Sequence, residues 1–303
     1  MLSFEVIILG SSSATPTSSR HPTAQVVNLH ERFFLLDCGE ATQIQIRRFK
    51  VKIQRIDHIF ISHLHGDHYL GLPGLLGTMH LLGREKELHI YSPSGLKEII
   101  DTNHYHSKTF LNYELIFHVI KGKEKILEDE KLVIETIPMN HRIPCYGFLF
   151  REKQLPRNII KEKLEEHTIP VQQIHEIKMG NDFISPKGKR IPNSELTADP
   201  PSPRSFAYCS DTLYDESFLE QIKNVNLLYH EATFAEDMAH RAVETHHCTA
   251  KQAGAIAHKA NVKQLLIGHY SARYRELDIL LNEAKQVFNN TILAIEGETY
   301  KVN

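Results

Sequence analysis

The 303 residues are 41% hydrophobic and 24% charged, and the formal net charge is −2 with histidine neutral. That supplies a core for one large or two medium domains. It excludes a chain that gathers nucleic acid by bulk charge, so any such contact must come from local patches.

In chain order, residues 4–9 read as a buried strand stopping at Gly10, and 11–22, rich in Ser, Thr and Pro, as a loop. Residues 25–29 and 32–36 form a hairpin around His30-Glu31. Asp37-Cys38-Gly39-Glu40 follows as a turn, and 41–49 is helical. An apolar strand occupies 56–61, and 69–82 is apolar at helical spacing despite Pro73. Strands at 88–91, 132–138 and 146–150 and a helix at 94–105 complete this half. The character changes at Arg151. Residues 151–190 are charged, poor in apolar runs and locally basic, with a helical charged face at 158–167 and the basic turn Lys187-Gly188-Lys189-Arg190. This stretch reads as an insertion projecting from a single domain that spans 1–303. Strands return at 205–209, 225–229 and 264–267, with helices at 249–260 and 277–288. No run reaches the roughly 18 apolar residues of a membrane span, and Met1-Leu2-Ser3-Phe4-Glu5 has no basic leader. Cys38, Cys145, Cys209 and Cys248 form no CxxC pair, as expected of reduced thiols in a cytoplasmic protein.

The count that stands out is 20 histidines. The strand at 56–61 delivers His63-Leu64-His65-Gly66-Asp67-His68, where imidazoles and a carboxylate suit Zn²⁺, Mn²⁺ or Fe. Neighbours such as Asp67 and His68 diverge along the backbone and need not serve one ion, so the spacing hints at two ions side by side. Three later strand ends carry the same chemistry: Asn140-His141, Ser210-Asp211-Thr212 and Gly268-His269. Two ions need about seven or eight ligands, a bridging carboxylate counting twice. His63, His65 and His141 suit one ion, Asp67, His68 and His269 the other, and Asp211 is the natural bridge. Short strands ending in such residues place the site along one edge of stacked sheets, with helices outside. His30, His80, His89, His104, His106, His118 and His258 have no motif around them and are read as surface or core.

With these residues the chain resembles the metallo-β-lactamase superfamily, whose HxHxDH signature matches 63–68 and whose later ligands follow in the order His141, Asp211, His269. Within it, nearly the whole chain is similar to the ribonuclease Z family. The similarity lies in residues 9–16, the Asp37-Cys38-Gly39-Glu40 turn, Gly71-Leu72-Pro73-Gly74-Leu75, and residues 208–212. It continues in His230-Glu231-Ala232-Thr233-Phe234, the HxT motif His247-Cys248-Thr249, and 268–274, which hold an AxR-like stretch around Arg273. The resemblance implies an α/β, four-layer αββα sandwich with a flexible tRNA-binding arm at 151–190. It implies a zinc-dependent phosphodiesterase, an endoribonuclease that removes the 3′ trailer of tRNA precursors and leaves a 3′-hydroxyl. Two Zn²⁺ per subunit are implied, with Mn²⁺ or another divalent ion as substitutes, and a homodimer in which one subunit's arm serves the other's site.

Asp67 takes the proton-acceptor role in that family. His247, before Thr249 at a helix start, suits a phosphate or leaving-group oxygen. Asp37, Glu231, Thr249 and Arg273 are candidates for support behind the ligands. RNA contacts are assigned to Lys153, Arg157, Lys161, Lys163, Lys187, Lys189 and Arg190 of the arm, and to Arg20. Two departures stand out. Pro16-Thr17-Ser18-Ser19-Arg20-His21 keeps only Pro16 and Arg20 of the family's PxKxRN motif, and Pro170-Val171-Gln172-Gln173 stands where the arm carries a Gly-Pro pair. The competing readings are another two-metal hydrolase of the superfamily, acting on a small phosphodiester or thioester, and a non-catalytic metal-dependent RNA-binding protein.

Overall fold

The structure, a computed structural model, describes residues 2–303. The strands of the first part are β1 (Phe4–Gly10), β2 (Ala24–Leu29), β3 (Arg32–Leu36), β4 (Ile56–Phe60), β5 (Leu88–Ser92), β6 (Leu115–Val119), β7 (Lys125–Glu128), β8 (Leu132–Met139) and β9 (Cys145–Glu152). Then come β10 (Asn158–Ile159), β11 (Phe183–Ile184), β12 (Arg190–Ile191), β13 (Thr197–Ala198), β14 (Ser205–Cys209), β15 (Leu227–Glu231), β16 (Gln264–Gly268), β17 (Thr291–Leu293) and β18 (Thr299–Lys301). The helices are α1 (Thr42–Arg48), α2 (Gly66–Tyr69), α3 (Leu72–Leu81), α4 (Leu96–Ser107), α5 (Lys161–Glu166), α6 (Ile174–Lys178) and α7 (Asn193–Leu196). After them come α8 (Leu219–Ile222), α9 (Ala239–Thr245), α10 (Ala250–Lys259) and α11 (Asp278–Val287).

Two seven-stranded sheets run in the orders β18-β1-β2-β3-β4-β5-β6 and β17-β16-β15-β14-β9-β8-β7. Period-2 alternation sorts each strand's side chains between helix and partner sheet. On β3, Phe33 and Leu35 join Ile46 of α1, Leu76 of α3 and Ile100 of α4 in one buried cluster. Phe34 faces the other way and meets Phe150 of the second sheet edge to face, 5.5 Å between centroids. Phe60 and Phe148 also meet between the sheets, with tilted rings 5.2 Å apart. On the far side of the second sheet, Ala207, Leu228, Leu265 and Ile267 bury against Ala253 and Ile256 of α10 and Leu280 of α11. The layers are therefore helix, sheet, sheet, helix: the metallo-β-lactamase fold. No helix among the described residues is long and apolar enough to cross a membrane.

The chain divides into two compact units. The first holds residues up to Leu127, Ile134–Phe150 and Arg204–Asn303. The second holds Glu128–Val133 and Arg151–Pro203, and so contains the stretch expected as an insertion. It has its own small core of Ile169, Ile177, Phe183, Ile191 and Leu196, flanked by Ile159 and Leu164. β10 pairs with β13, and β11 with β12.

Two expected helices are corrected. Residues 158–167 are not one helix: Asn158 and Ile159 pair with Ala198 and Thr197 as strand, and only Lys161–Glu166 is helical. Tertiary pairing here outweighs helix propensity. The expected helix at 69–82 is broken after α2, because Gly71 packs so closely on the Asp37 turn that a Cβ there would lie 2.0 Å from the Gly39 carbonyl oxygen. α3 then restarts with Pro73 in its first turn, where a missing N–H costs nothing. The short strands β6, β7, β17 and β18 and helices α8 and α9 were not expected.

Candidate metal centre

The parallel strands β4, β14, β15 and β16 end near one another, and the residues following them supply the polar cluster. His63 and His65 follow β4, while Asp67 and His68 sit on α2, whose single turn folds back over the strand end. Asp67 and His68 were expected to diverge. Instead they converge: His68 Nε2 lies 3.5 Å from Asp67 Oδ2, since on a helical turn adjacent side chains stand about 100° apart rather than on opposite faces as in a strand. Close backbone approach makes room, since a Cβ on Gly39 would lie 2.4 Å from the Asp67 carbonyl oxygen. Asp37 and His269 occupy left-handed backbone, φ 54 and 59, and turn their side chains inward at strand ends.

Two groups of ligand atoms adjoin. His63, His65, His141 and Asp211 form one, and Asp67, His68 and His269 the other. His65 Nδ1 lies 3.0 Å from His63 Nε2 and 3.1 Å from His141 Nε2. Asp211 reaches into both groups: Oδ2 is 3.5 Å from His63 Nε2 and 3.4 Å from His68 Nε2, and Oδ1 is 3.2 Å from His269 Nε2. Atoms held tetrahedrally around an ion at about 2.0–2.1 Å stand roughly 3.3–3.4 Å apart, so the spacing is that of a coordination shell. His68 Nε2, His269 Nε2 and Asp211 Oδ1 are buried without a hydrogen-bond partner. Orphaned buried polar atoms are costly, and here they all face one point. A nitrogen- and oxygen-donor set of this kind fits a divalent transition ion. His247 adds a third grouping with Asp211 and His269, beyond its expected place outside the ligand set.

Behind His63, His68, His141 and His269 the other ring nitrogen is held, which sets the tautomer. His68 Nδ1 donates to Asp37 Oδ2 at 2.8 Å, and His141 Nδ1 to the His246 carbonyl at 2.9 Å. His269 Nδ1 lies 3.0 Å from Thr233 Oγ1, and His63 Nδ1 3.0 Å from Ser62 Oγ. Asp37 is fully buried and also accepts from Ser62 N (2.7 Å), Ser62 Oγ (2.9 Å) and Tyr208 OH (2.5 Å). Burial would push the Asp67 and Asp211 carboxyls up, but the imidazoles His68 and His269 hold both below the usual range. Burial, joined by the neighbouring imidazoles of His68, His141 and His65, pulls His63 well down against Asp211. At His68 burial also pulls down, but Asp211, Asp67 and Asp37 outweigh it and raise the imidazole well above its ordinary value, so a bound cation would displace its proton.

Glu231, buried at the end of β15, accepts from the backbone N–H groups of Thr212 (3.1 Å), Cys248 (3.0 Å) and Thr233 (3.1 Å), and from His247 Nδ1 (3.0 Å). It therefore orients His247. Burial pulls the His247 imidazole down, but Glu231 and Asp211 outweigh it and raise its pKa to about 9, so the ring carries a proton at neutral pH. Thr249 is the N-cap of α10: it accepts from Gln252 N in a capping box and donates to Glu236. Its link to the centre is through the helix start, not through a ligand. Arg273 stands over the Phe234 ring, 5.9 Å from its centroid. Both residues line a cavity of about 500 Å³ with His247, Arg241, Thr245 and residues 13–15.

Arg20 is corrected as an RNA contact. It is buried, and its Nη2 donates to the carbonyls of Ser271 (3.3 Å) and Tyr274 (2.7 Å). In the second unit, Lys153 pairs with Glu128 (2.6 Å) and Lys163 with Glu166 (2.6 Å), while Arg157 pairs with Asp199 and Arg190 with Asp182. Lys161, Lys187 and Lys189 make no ion pair among the described residues. Sequence reasoning missed Ser62, Thr233 and Tyr208. Each lies in or next to a motif, but nothing local says which ring it supports.

A family model described as Anti-Pycsar protein Apyc1 matches residues 4–161. Curated relatives match the whole chain. Ribonuclease Z of Bacteroides thetaiotaomicron is 50% identical, covering 100% of this chain and 96% of its own. That of Bacteroides fragilis is 49% identical over 98% of each. Among solved structures, the short form of human tRNase Z superposes with a TM-score of 0.72 over 99% of both chains, at 24% identity, which speaks for the fold alone.

Proposed function

The chain belongs to the ribonuclease Z family, and from that premise we propose that it is a metal-dependent endoribonuclease that removes the 3′ trailer from tRNA precursors and leaves a 3′-hydroxyl on the tRNA. The observation that carries the reading is the pair of adjoining ligand groups sharing Asp211, in a chain that is half identical to its relatives from end to end. We take the ions to be two Zn²⁺, held by His63, His65 and His141 on one side and Asp67, His68 and His269 on the other, with Asp211 common to both. Mn²⁺ would satisfy the same donors. When bound, the ions supply an acidified water and neutralise charge on the phosphate.

The chain's own residues divide the proton work. The attacking water gives its proton to Asp67. As the phosphorus–oxygen bond to the tRNA 3′-oxygen breaks, His247 delivers its proton to that oxygen, steadied by Glu231. The trailer leaves with a 5′-phosphate. Protonation by a placed acid contributes typically 10²–10⁴-fold.

We assign tRNA holding to the unit at 128–133 and 151–203, with Lys161, Lys187 and Lys189 on phosphates, and recognition by shape rather than by base. A homodimer, in which this unit serves the partner's centre, and a cytoplasmic location go with the family. The rival reading is a two-metal hydrolase of a small substrate; the family match at 4–161 stops short of Asp211, His247 and His269 and does not decide between the two. A 3′-extended tRNA transcript, incubated with and without chelator and the cut mapped, tests the proposal. Cleavage at the trailer junction, lost with chelator, supports it. Turnover of bis-p-nitrophenyl phosphate with an intact transcript would turn the reading to the small-substrate hydrolase.

A further inference from the structure

Between β1 and β2 the chain runs as an irregular loop past the metal centre. Its tip touches the centre through one bond, in which the backbone N–H of Ala14 donates to Asp67 Oδ2 at 2.7 Å. Ala14 is in the left-handed region, φ 50, an uncommon conformation for a residue with a Cβ. The oxygen it grips is the one that stands 3.5 Å from both His68 Nε2 and His269 Nε2. Residues 13–15 also line the cavity beside His247, so one short segment borders the substrate space and holds a reacting carboxylate. Ala14 and Thr15 are exposed and have little packing of their own.

The tip is tied by Ser13 N on the Tyr270 carbonyl (2.9 Å) and Ser12 Oγ on the Thr15 carbonyl (2.8 Å), and a second set of bonds closes the loop's base. Glu296 Oε1 accepts from Ser11 N (3.3 Å) and His21 N (2.7 Å), and Oε2 from His21 Nδ1 (2.8 Å). Gln45 Nε2 ties the same carboxylate to α1 at 2.9 Å. One side chain, 285 residues from Ser11 and 275 from His21, closes both ends of the loop. The backbone bond from Ser11 N to the His21 carbonyl, 3.0 Å, completes the closure. The other side of the loop is held by Arg20 on the carbonyls of Ser271 and Tyr274.

We propose that Glu296 is a positioning residue for hydrolysis: it closes the base of the 11–21 loop so that the Ala14 N–H stays on Asp67 Oδ2. Occupying one lone pair of that oxygen fixes the carboxylate rotamer and directs the rest of it toward ion and water. The inference rests on the hydrolase reading of the centre, but not on tRNA being the substrate.

The test compares the metal-loaded wild type with Glu296→Ala, Glu296→Gln and His21→Ala. Kinetics on bis-p-nitrophenyl phosphate and on a 3′-extended tRNA are read alongside metal content and hydrogen exchange at the Ala14 amide. Loss of a hydrogen bond to a charged group corresponds to about ten- to a hundredfold in rate. Glu296→Ala is expected to lower kcat on both substrates by that factor and leave KM for bis-p-nitrophenyl phosphate and metal content unchanged, with faster exchange at Ala14. Glu296→Gln keeps an acceptor for the two backbone N–H groups and should recover most of the rate. His21→Ala frees one end and should show the same pattern, smaller. Unchanged kcat in Glu296→Ala, a loss confined to KM, or a lost rate with Ala14 still protected each overturns the proposal. If Glu296→Ala does not fold, Glu296→Gln and His21→Ala decide it by the same readouts. If wild type hydrolyses bis-p-nitrophenyl phosphate and spares the tRNA, the substrate reading falls while the Glu296 comparison still stands or fails on the small ester.

Discussion

The metal centre and the second unit are held by opposite means. At the centre, nearly every polar atom is buried and gripped from behind: Asp37 alone accepts from Ser62, His68 and Tyr208. The second unit has a core of five buried side chains and ties its surface charges in pairs. Its charge is also not what the 151–190 stretch suggests. That stretch carries nine Lys and Arg against six Asp and Glu, but 128–133 together with 151–203 carries ten against eleven. Buried polar groups must be matched or they cost free energy, so the centre tolerates few alternatives. Exposed pairs contribute about 0–1 kcal/mol each, so the second unit depends on which cations stay free rather than on how many there are.

The contrast breaks most sharply at Asp211. Because it reaches into both ligand groups, Asp211→Ala should abolish cleavage and lower metal content by more than one ion's share, the cations being left to repel each other. Metal analysis showing two full equivalents in the variant would remove it from the bridge.

Next in size is His247→Ala. Both ions and the fold should remain, while cleavage of tRNA falls by about 10²–10⁴-fold. The fall should be smaller on bis-p-nitrophenyl phosphate, whose leaving group needs little protonation. Equal losses on both substrates would make His247 a phosphate-binding residue instead. Glu231→Gln should act in the same direction, since the imidazole loses the carboxylate that keeps its proton.

Deleting 151–203 tests the other region. Binding of tRNA measured by filter retention should weaken at least about tenfold, the scale of one or two lost charged contacts, with turnover of bis-p-nitrophenyl phosphate nearly intact. Loss of both would show that the unit supports the centre rather than the substrate.

The smallest effect sharpens the comparison within that unit. Replacing Lys161, Lys187 and Lys189 together by alanine should reduce the slope of log binding constant against log salt by about 2–3, nearly one per phosphate contact. Replacing Arg157, Lys163 and Arg190, which are already paired, should change it less. The reverse order would mean that those pairs open when RNA binds.

The candidate ligands were legible in the chain because metal chemistry concentrates rare residue types at strand ends. His63, His65, Asp67 and His68 fall within six positions, and Asp211 and His269 each follow an apolar run. The hairpin at His30-Glu31 and the strand expected at 56–61, which spans Ile56–Phe60, were legible from short apolar runs broken by polar residues. What only the tertiary structure decided is how each group is used. His65 faces its neighbours with Nδ1 while His63 and His141 present Nε2, and the other nitrogen of His141, like that of His68, is claimed by a partner far along the chain. His141 finds the His246 carbonyl 105 residues on, and His68 finds Asp37 31 residues back. Arg20 is part of a legible motif, yet folding spends its guanidinium on two backbone carbonyls. Glu296 lies in no motif at all: closing a loop needs a carboxylate at one point in space, and no local pattern records which part of the chain will arrive there.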